Sequence, residues 1–516
     1  MEFNTTSQQP NVYNITYNVS ELDRRRLLNY RTFWRFYLGD HWITKREEGN
    51  EPITANYCKK FINKKIAFTF GKGFSVVPHD ELPDEAKAII SEIWEYNEAE
   101  FWGKQSAMMG SVTGDLFIKP VWVKNEDSDD AKDGCVKNLI LDSSMCFPLF
   151  KKHNKDVIEK MVIAYEYAEN PDPSSGQPQH AVKNKQYVEI ITPEKVIVYD
   201  DNEKKEEPNT YGFINIVHAR NEDIANLSFG VSDLQDLVPL NREFNEKTTN
   251  VSDIINYHEA PVTIVYGAKA STLQKSPNKL WSGLPETARV ENLRLDGDLS
   301  ATVNFLTTLK TTMFELSDVP EATLGKQQAV SNTSGVALQI QYQPLTEDRD
   351  SKILVYGRAI RQVTKMAMKI YAFHKLGDIT YFDKLKTTTM RDPYKTKVIF
   401  KDTLPKDKMV LLQIIQQKFG MTGMPLTTPR LALIEMGDDN PDKTLEEINK
   451  WVEEMKAKGM DASGVDNMDE QQDTAGETAP KKDTSDNTNG NPKGSNIGNS
   501  KTNESSPKKI LKKVVK

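Results

Sequence analysis

Cysteine is almost missing from this 516-residue sequence, which has only Cys58, Cys135 and Cys146. So sparse and odd a count cannot build a disulfide framework, and it fits a reducing compartment. There is no CxxC pair, and the seven histidines (41, 79, 153, 180, 218, 258 and 374) include no HxxxH spacing. That argues against a structural zinc site and against an HExxH metalloenzyme. No run of about 18 apolar residues occurs, so no membrane span is expected. Residues 1–20 are polar, rich in Asn and Thr, and carry no basic-then-apolar signal pattern. The expectation is a soluble chain made inside a cell, with no membrane partner, no metal and no other cofactor.

Apolar residues are also scarce, at 38%, and mean hydropathy is -0.59. Such a chain can bury a core, but it must also carry a polar tail, an extended shape or many exposed faces. The length allows roughly three domains or one large composite architecture. The 67 Lys and Arg against 74 Asp and Glu leave a formal charge of -7. Net acidity disfavours a protein that coats nucleic acid, because such binding neutralises phosphates. It leaves room for one that lets DNA pass without holding it.

What is present reads as α+β. Ser20 caps an amphipathic segment to Tyr37, with Leu27, Tyr30, Phe33 and Trp34 at helical spacing and Gly39 as the stop. Residues 56–70 form a second helix closed by Gly71, and residues 85–97 and 101–110 continue the helical theme. The period then changes to two over 115–123, 139–147, 157–167, 186–192 and 195–200, as in an antiparallel sheet. Residues 233–257 make a helix with a narrow stripe of Leu237, Leu240, Phe244, Val251 and Ile254. Residues 299–316 make another, with Leu299, Val303, Leu306 and Met313 aligned. A β-rich insert of about 40 residues separates them, and it includes a β-like segment at 262–266. A polar loop, 320–332, precedes a very long helix from 333 to about 375, which Pro344 should kink between 341 and 345. Residues 397–401 read as a strand, and 405–419, 428–435 and 441–456 as three short helices. From 461 to 516 there is no aromatic residue and only ten of 56 are hydrophobic, so this stretch should be disordered. Its end, PKKILKKVVK, could touch an acidic partner.

A catalytic constellation is not found. Phe70-Gly71-Lys72-Gly73-Phe74 lacks the spacing of a phosphate loop, and residues 110–115 lack a nucleophile elbow. Asp127, Asp129, Asp130 and Asp133 lack the order of a calcium loop. The pairs Asp200–Asp201 and Asp438–Asp439 sit beside turn residues, with no third carboxylate placed for a two-metal site. This points to a structural or assembly role rather than an enzyme.

The order of elements resembles the portal protein of tailed double-stranded DNA bacteriophages, particularly long-tailed phages of Gram-positive hosts. Local stretches carry the same likeness: residues 37–42 (YLGDHW), 56–59 (NYCK) through Gly73-Phe74, Gly114-Asp115, and 334–338 (SGVAL). The resemblance covers roughly residues 20–460. It implies a portal-type architecture: a wing over 1–232, stem helices over 233–257 and 299–319, and a β-rich clip over 258–298. A tunnel loop would occupy 320–332, the long kinked helix completing the wing 333–404, a small helical crown 405–460 and the tail 461–516. It further implies a homo-oligomeric, dodecameric ring at one capsid vertex of the virion, assembled in the host cytoplasm. Its partners would be the terminase motor, head–tail connector or adaptor proteins, scaffold and major capsid protein, and the DNA passing during packaging and ejection.

The two stem segments hold Asp233, Asp236, Glu243, Glu246, Asp253, Glu315 and Asp318 against Arg242, Lys247 and Lys310, a net charge of -4. An acidic channel wall would repel phosphate and let DNA slide. Solvated faces of an ordinary bundle fit the residues equally well. Lys326, Gln327 and Gln328 in the polar loop are the candidates to touch DNA, with Lys310 behind them. The competing readings are a nucleotide-using or nucleic-acid-processing enzyme with an unrecognised motif, and a scaffold or capsid-binding protein without a channel.

Overall fold

A computed structural model of the chain describes residues 20–42, 51–169 except 129 and 131, 183–259 except 202, 263–267, 287–292, 299–324 and 340–401 except 389. Beyond these it describes 413, 415, 417, 418, 428–436 and 441–457. The polypeptide divides into two units, 1–403 and 404–516.

The helices start and stop where local chemistry dictates. α1 (Glu21–Leu38) is capped by Ser20, whose Oγ accepts from the Asp23 N–H at 3.1 Å. It ends at Gly39, left-handed at φ +96°, whose N–H returns to the Arg35 and Phe36 carbonyls. α2 (Tyr57–Phe70) is capped by Asn56 accepting from the Lys59 N–H at 2.9 Å. β1 (Phe74–Val77), α3 (Asp84–Tyr96) and α4 (Ala99–Thr113) follow. β2 (Asp115–Lys124), β3 (Gly134–Leu141) and β9 (Val217–Arg220) form a three-stranded sheet in the order β3-β2-β9. β4 (Cys146–Lys151), β5 (Asn154–Glu169), β6 (Lys183–Ile191), β7 (Lys195–Asp200) and β8 (Glu203–Pro208) form a five-stranded meander. All described strand pairs are antiparallel. The strand expected over 139–147 is instead two, separated by a 3-10 turn at Ser143–Met145 that the Asp142 side chain caps.

α5 (Leu237–Glu259) and α6 (Leu299–Leu316) pack together, and the two-stranded ladder β10 (Thr263–Tyr266) with β11 (Arg289–Asn292) lies between them in sequence. The expected long helix is interrupted. Ile340 and Gln341 are helical, Tyr342 is a turn, and α7 runs Gln343–Tyr371 with Pro344 in its first turn. Proline lacks an N–H and crowds the preceding turn, so the helix breaks at Tyr342, inside the stretch 341–345 where Pro344 is expected to kink it. α7 opens into a π turn, Ala372–Leu376, which Gly377 closes. β12 (Lys397–Phe400) then pairs with β1 across more than 300 residues. In the second unit, α8 (Pro429–Met436) and α9 (Pro441–Ala457) pack on each other. Of the helix expected over 405–419 only four residues are described, and the segment 461–516 lies outside the described residues.

Three cores hold the first unit. The largest joins α3, α4 and α7 to the β3-β2-β9 sheet through Phe70, Phe74, Trp94, Trp102, Tyr356 and Met368. A second packs α1 and α2 on the start of α5 and the end of α6 through Phe33, Phe61, Leu234, Met313 and Phe314. Phe61 meets Phe314 edge-on, with centroids 5.0 Å apart, and complete burial of such a ring stabilises by about 2–3 kcal/mol. The third fills the space between the two sheets with Phe117, Met161, Ile163 and Ile191. At their meeting point Gly114 adopts φ +89°, and a Cβ there would lie 2.8 Å from the Gly230 carbonyl oxygen. The next residue, Asp115, is buried and accepts from the Tyr30 hydroxyl, from His218 Nε2 at 2.7 Å and from the Gly230 N–H at 2.9 Å. Asp115 thus ties α1 to β9 and to the loop at Gly230.

Candidate functional site: the paired helices and their buried joint

α5 is held on its inner side by a polar ladder that apolar periodicity did not reveal. Asn241, Asn245 and Thr249, spaced four apart, are all buried. Asn241 Oδ1 accepts from the N–H groups of Tyr57 and Cys58, both at 3.2 Å, and its Nδ2 donates to the Ala55 carbonyl at 2.8 Å. Asn245 Oδ1 accepts from the Ala55 N–H at 3.0 Å, and Thr249 Oγ1 accepts from the Ile53 N–H at 3.1 Å. The extended segment before α2 therefore meets its backbone hydrogen-bond requirement on one face of α5. His41 completes the ladder. It stacks on Phe36, Nε2 donates to the Phe36 carbonyl at 2.9 Å, and Nδ1 accepts from Asn245 Nδ2 at 2.6 Å. Burial lowers its pKa, although the bond to the Phe36 carbonyl opposes this. The signal available beforehand was the Asn-x3-Asn-x3-Thr spacing. Of the expected apolar stripe on α5, only Leu237 is fully buried.

The expected helix start at 233 is corrected to Leu237. Pro239 must lie in the first turn, and residues 233–236 form tight turns, with Ser232 Oγ accepting from the Leu234 N–H. This places Asp233 in a buried joint. Its Oδ1 receives Lys352 Nζ at 2.7 Å and Asn221 Nδ2 at 3.0 Å. Nearby, Lys65 Nζ meets Asp348 Oδ1 at 3.0 Å, and the Tyr356 hydroxyl donates to Asn221 Oδ1 at 3.2 Å. Burial alone would raise the Asp233 carboxyl, but Lys352 and Lys65 hold it down to about 2. Burial would likewise lower the Lys65 ammonium, and Asp233 and Asp348 outweigh it, so its pKa is raised. Asp233 Oδ2, Asp348 Oδ2 and Arg349 Nε are buried without a hydrogen-bond partner. α2, the lead-in to α5, and α7 thus share one set of interleaved charges.

Asp233 is accordingly removed from the candidate wall, because its carboxylate faces two lysines inside the fold. Asp236, Glu246 and Asp253 are exposed on or just before α5, and half-buried Glu243 pairs with Lys247 at 3.3 Å. Glu315 is exposed on α6. Asp318, just beyond it, is left-handed at φ +56°, and burial raises its pKa against the pull of Lys65. Lys310 bonds Glu321 at 2.9 Å and lies 5.7 Å from the Phe314 ring centroid. Lys326, Gln327 and Gln328 lie outside the described residues. Without Asp233 the set is six acids to three bases, a net charge of -3. α6 differs in character. Its exposed surface carries Val303 (52% exposed), Phe305 (44%) and threonines 307, 308 and 311, whose hydroxyls turn back to helix carbonyls. Of the aligned stripe on α6, Met313 is buried, Leu306 half-buried and Val303 exposed.

Among the described residues no group of three or more His, Cys, Asp or Glu is arranged to hold a metal ion, and no helix is long and apolar enough to cross a membrane. The family model for the phage portal protein, SPP1 Gp6-like, matches residues 19–459. No curated protein matches the chain.

Proposed function

The chain belongs to the SPP1 Gp6-like phage portal protein family, and on that premise we propose how its parts serve a portal. Its role is that of a capsid-vertex component acting in DNA packaging, in a family that forms homo-oligomeric rings and is generally non-enzymatic. In the proposed reading twelve copies surround a channel lined by α5 and α6. Residues 1–232 and 333–404 form the wing, 258–298 the clip that meets terminase and connector, and 405–460 the crown inside the head. The ring assembles in the host cytoplasm with scaffold and major capsid protein, and it conducts DNA again at ejection.

The observation that carries this reading is the division of labour on the paired helices. α6 exposes Val303 and Phe305 beside uncharged threonines, a surface suited to cover by a neighbouring copy. α5 presents Arg242, Glu246, Asn250 and Asp253 outward at helical spacing, a polar face suited to a water-filled lumen. In the lumen, Asp236, Glu243, Glu246, Asp253, Glu315 and Asp318 would repel phosphate. Lys326, Gln327 and Gln328 would make transient contacts with it, and Lys310, paired with Glu321, would contribute less.

The test is light scattering with negative-stain imaging of the purified full chain. Rings of about a dozen copies with a central hole are expected. A monomer, or an assembly without a hole, would overturn the reading.

A further inference from the structure

The three-stranded sheet β3-β2-β9 carries complementary features on its two edges. On the β3 side, Asn97 bonds the strand's outer backbone. Its Nδ2 donates to the Val136 carbonyl and its Oδ1 accepts from the Asn138 N–H, both at 2.7 Å. This fixes the α3–α4 corner, the acidic knob, along whose flank Glu95, Glu98, Glu100 and Phe101 border an open hollow with Phe74 and Trp94. The knob exposes Tyr96 (43%) and Phe101 (58%) beside the carboxylates of Glu95, Glu98 and Glu100. None of the three glutamates has a salt-bridge partner among the described residues. Lys137 lies over the Tyr96 ring and Lys104 is one turn along α4, so the knob stays net negative. Glu98 sits at φ +49°, a conformation that non-glycine residues adopt only when the surroundings impose it.

On the β9 side, a groove of about 950 Å³ opens between β4–β5 and α7. Its apolar wall includes Leu149, Val157, Phe213 and Met366, and Lys151, Lys160, Lys365 and Lys369 line it. These lysines form no ion pair among the described residues, and Lys365 and Lys369 lie over the Tyr394 ring at 5.2 and 5.3 Å. Asp156, Glu159 and Glu194 also line the groove, but Asp156 is bound to Arg220 at 2.6 Å. The balance is therefore cationic around an apolar floor, and the groove is large enough for a pair of aromatic side chains.

We propose that the acidic aromatic knob of one subunit seats in the lysine-rimmed groove of the next copy. A contact between two different patches on opposite edges of a protomer is heterologous, the type that closes into a ring when the rotation permits. Phe101 and Tyr96 would supply the anchor, and the glutamates and lysines would set register and partner orientation. The inference rests on the ring reading above and names the surfaces that make it.

The experiment uses the full chain with charge reversals on each side, E98K/E100K and K365E/K369E. Each double variant should lower the ring fraction at least tenfold at fixed subunit concentration, and combining all four changes should restore it. Independently, F101C with M366C should give a ladder of covalent multimers with a short bismaleimide, against a low background because all three native cysteines are buried. Should either reversal variant misfold, this cysteine pair decides alone. Wild-type rings with both reversals assembling normally and no ladder would overturn the pairing while sparing the ring. A wild-type chain that forms no ring would instead overturn the ring reading itself.

Discussion

The joint between the lead-in to α5 and α7 offers a sharp energetic test. Lys352→Met removes the ammonium that sits 2.7 Å from Asp233 and keeps much of its apolar stem. Both side chains are less than a tenth exposed, so the carboxylate left behind cannot recruit bulk water. Breaking a buried pair from one side costs about 3–5 kcal/mol, whereas replacing both members often costs little. An independent route gives a similar scale. Burial opposes the Asp233 charge, yet Lys352 and Lys65 bring its pKa from 3.8 to about 2, which corresponds to about 2.5 kcal/mol of preference for the ionised form.

The assay is urea unfolding of the full chain followed by tryptophan fluorescence, at one subunit concentration because self-association shifts apparent stability. Lys352→Met should lose about 3 kcal/mol. Asp233→Asn with Lys352→Met should recover at least half of that loss, since the orphaned charge is gone. The pH dependence follows from the same pair. A carboxyl depressed in the folded state contributes fully above about pH 4, and that contribution fades as pH falls toward 2. Asp233→Asn should flatten this acid limb by about 2 kcal/mol. A double variant as unstable as Lys352→Met alone, or an unchanged acid limb, would refute the assignment of these charges as one unit.

Asn241→Ala strands two N–H groups and one carbonyl of the segment before α2. It should lower unfolding stability by about 2–4 kcal/mol, and Asn241→Asp should not rescue it, because a buried carboxylate oxygen would then face the Ala55 carbonyl in place of the donor. His41 is neutral in the fold, accepting from Asn245, and its pKa is lowered. Stability should therefore decline as pH falls below about 6.5, the unfolded value, and level off below the folded one. His41→Phe should shrink that limb in urea titrations between pH 7.5 and 5, leaving the part that belongs to His374, whose pKa burial also lowers, and an undiminished limb would exonerate His41. Lys326→Ala should leave ring assembly intact but lower the mass of DNA protected per head, and normal packaging would remove Lys326 from the proposed channel.

Local chemistry was legible in the sequence. Ser20, Gly39 and Asn56 cap or stop helices where their side chains or backbone freedom suggest, and the strands over 115–123 and 195–200 fall within a residue or so of expectation. Features that depend on distant partners were not. β8 reads EKKEEP, with every residue exposed, so no alternation marks it. It is held by the β7 ladder and by Lys195 and Lys204 on Glu206. β1 pairs with β12, more than 300 residues away, which no local pattern announces. Asp233 was misassigned for the same reason. An acid counted on a helical wheel shows its spacing, but the two lysines that bury it come from α2 and α7, and Pro239 had already excluded it from the helix.

Removing Asp233 changes the electrostatic argument about DNA more than one charge in seven suggests. The buried acids of the joint are neutralised by lysines and project no field into a lumen, so the net charge of the whole chain says little about the channel. What matters is the set outside the joint, six acids against Arg242, Lys247 and Lys310, of which Glu243 and Lys247 pair with each other and Lys310 pairs with Glu321. At physiological ionic strength such a surface acts only over about 8 Å. An acidic wall in the proposed ring would therefore not hold DNA at a distance. It would discourage phosphates from settling in contact, where a basic wall would bind them and release counterions. The proposed contacts are therefore assigned by residue chemistry, to Lys326, Gln327 and Gln328 of the polar loop, and not to the acidic residues of α5 and α6.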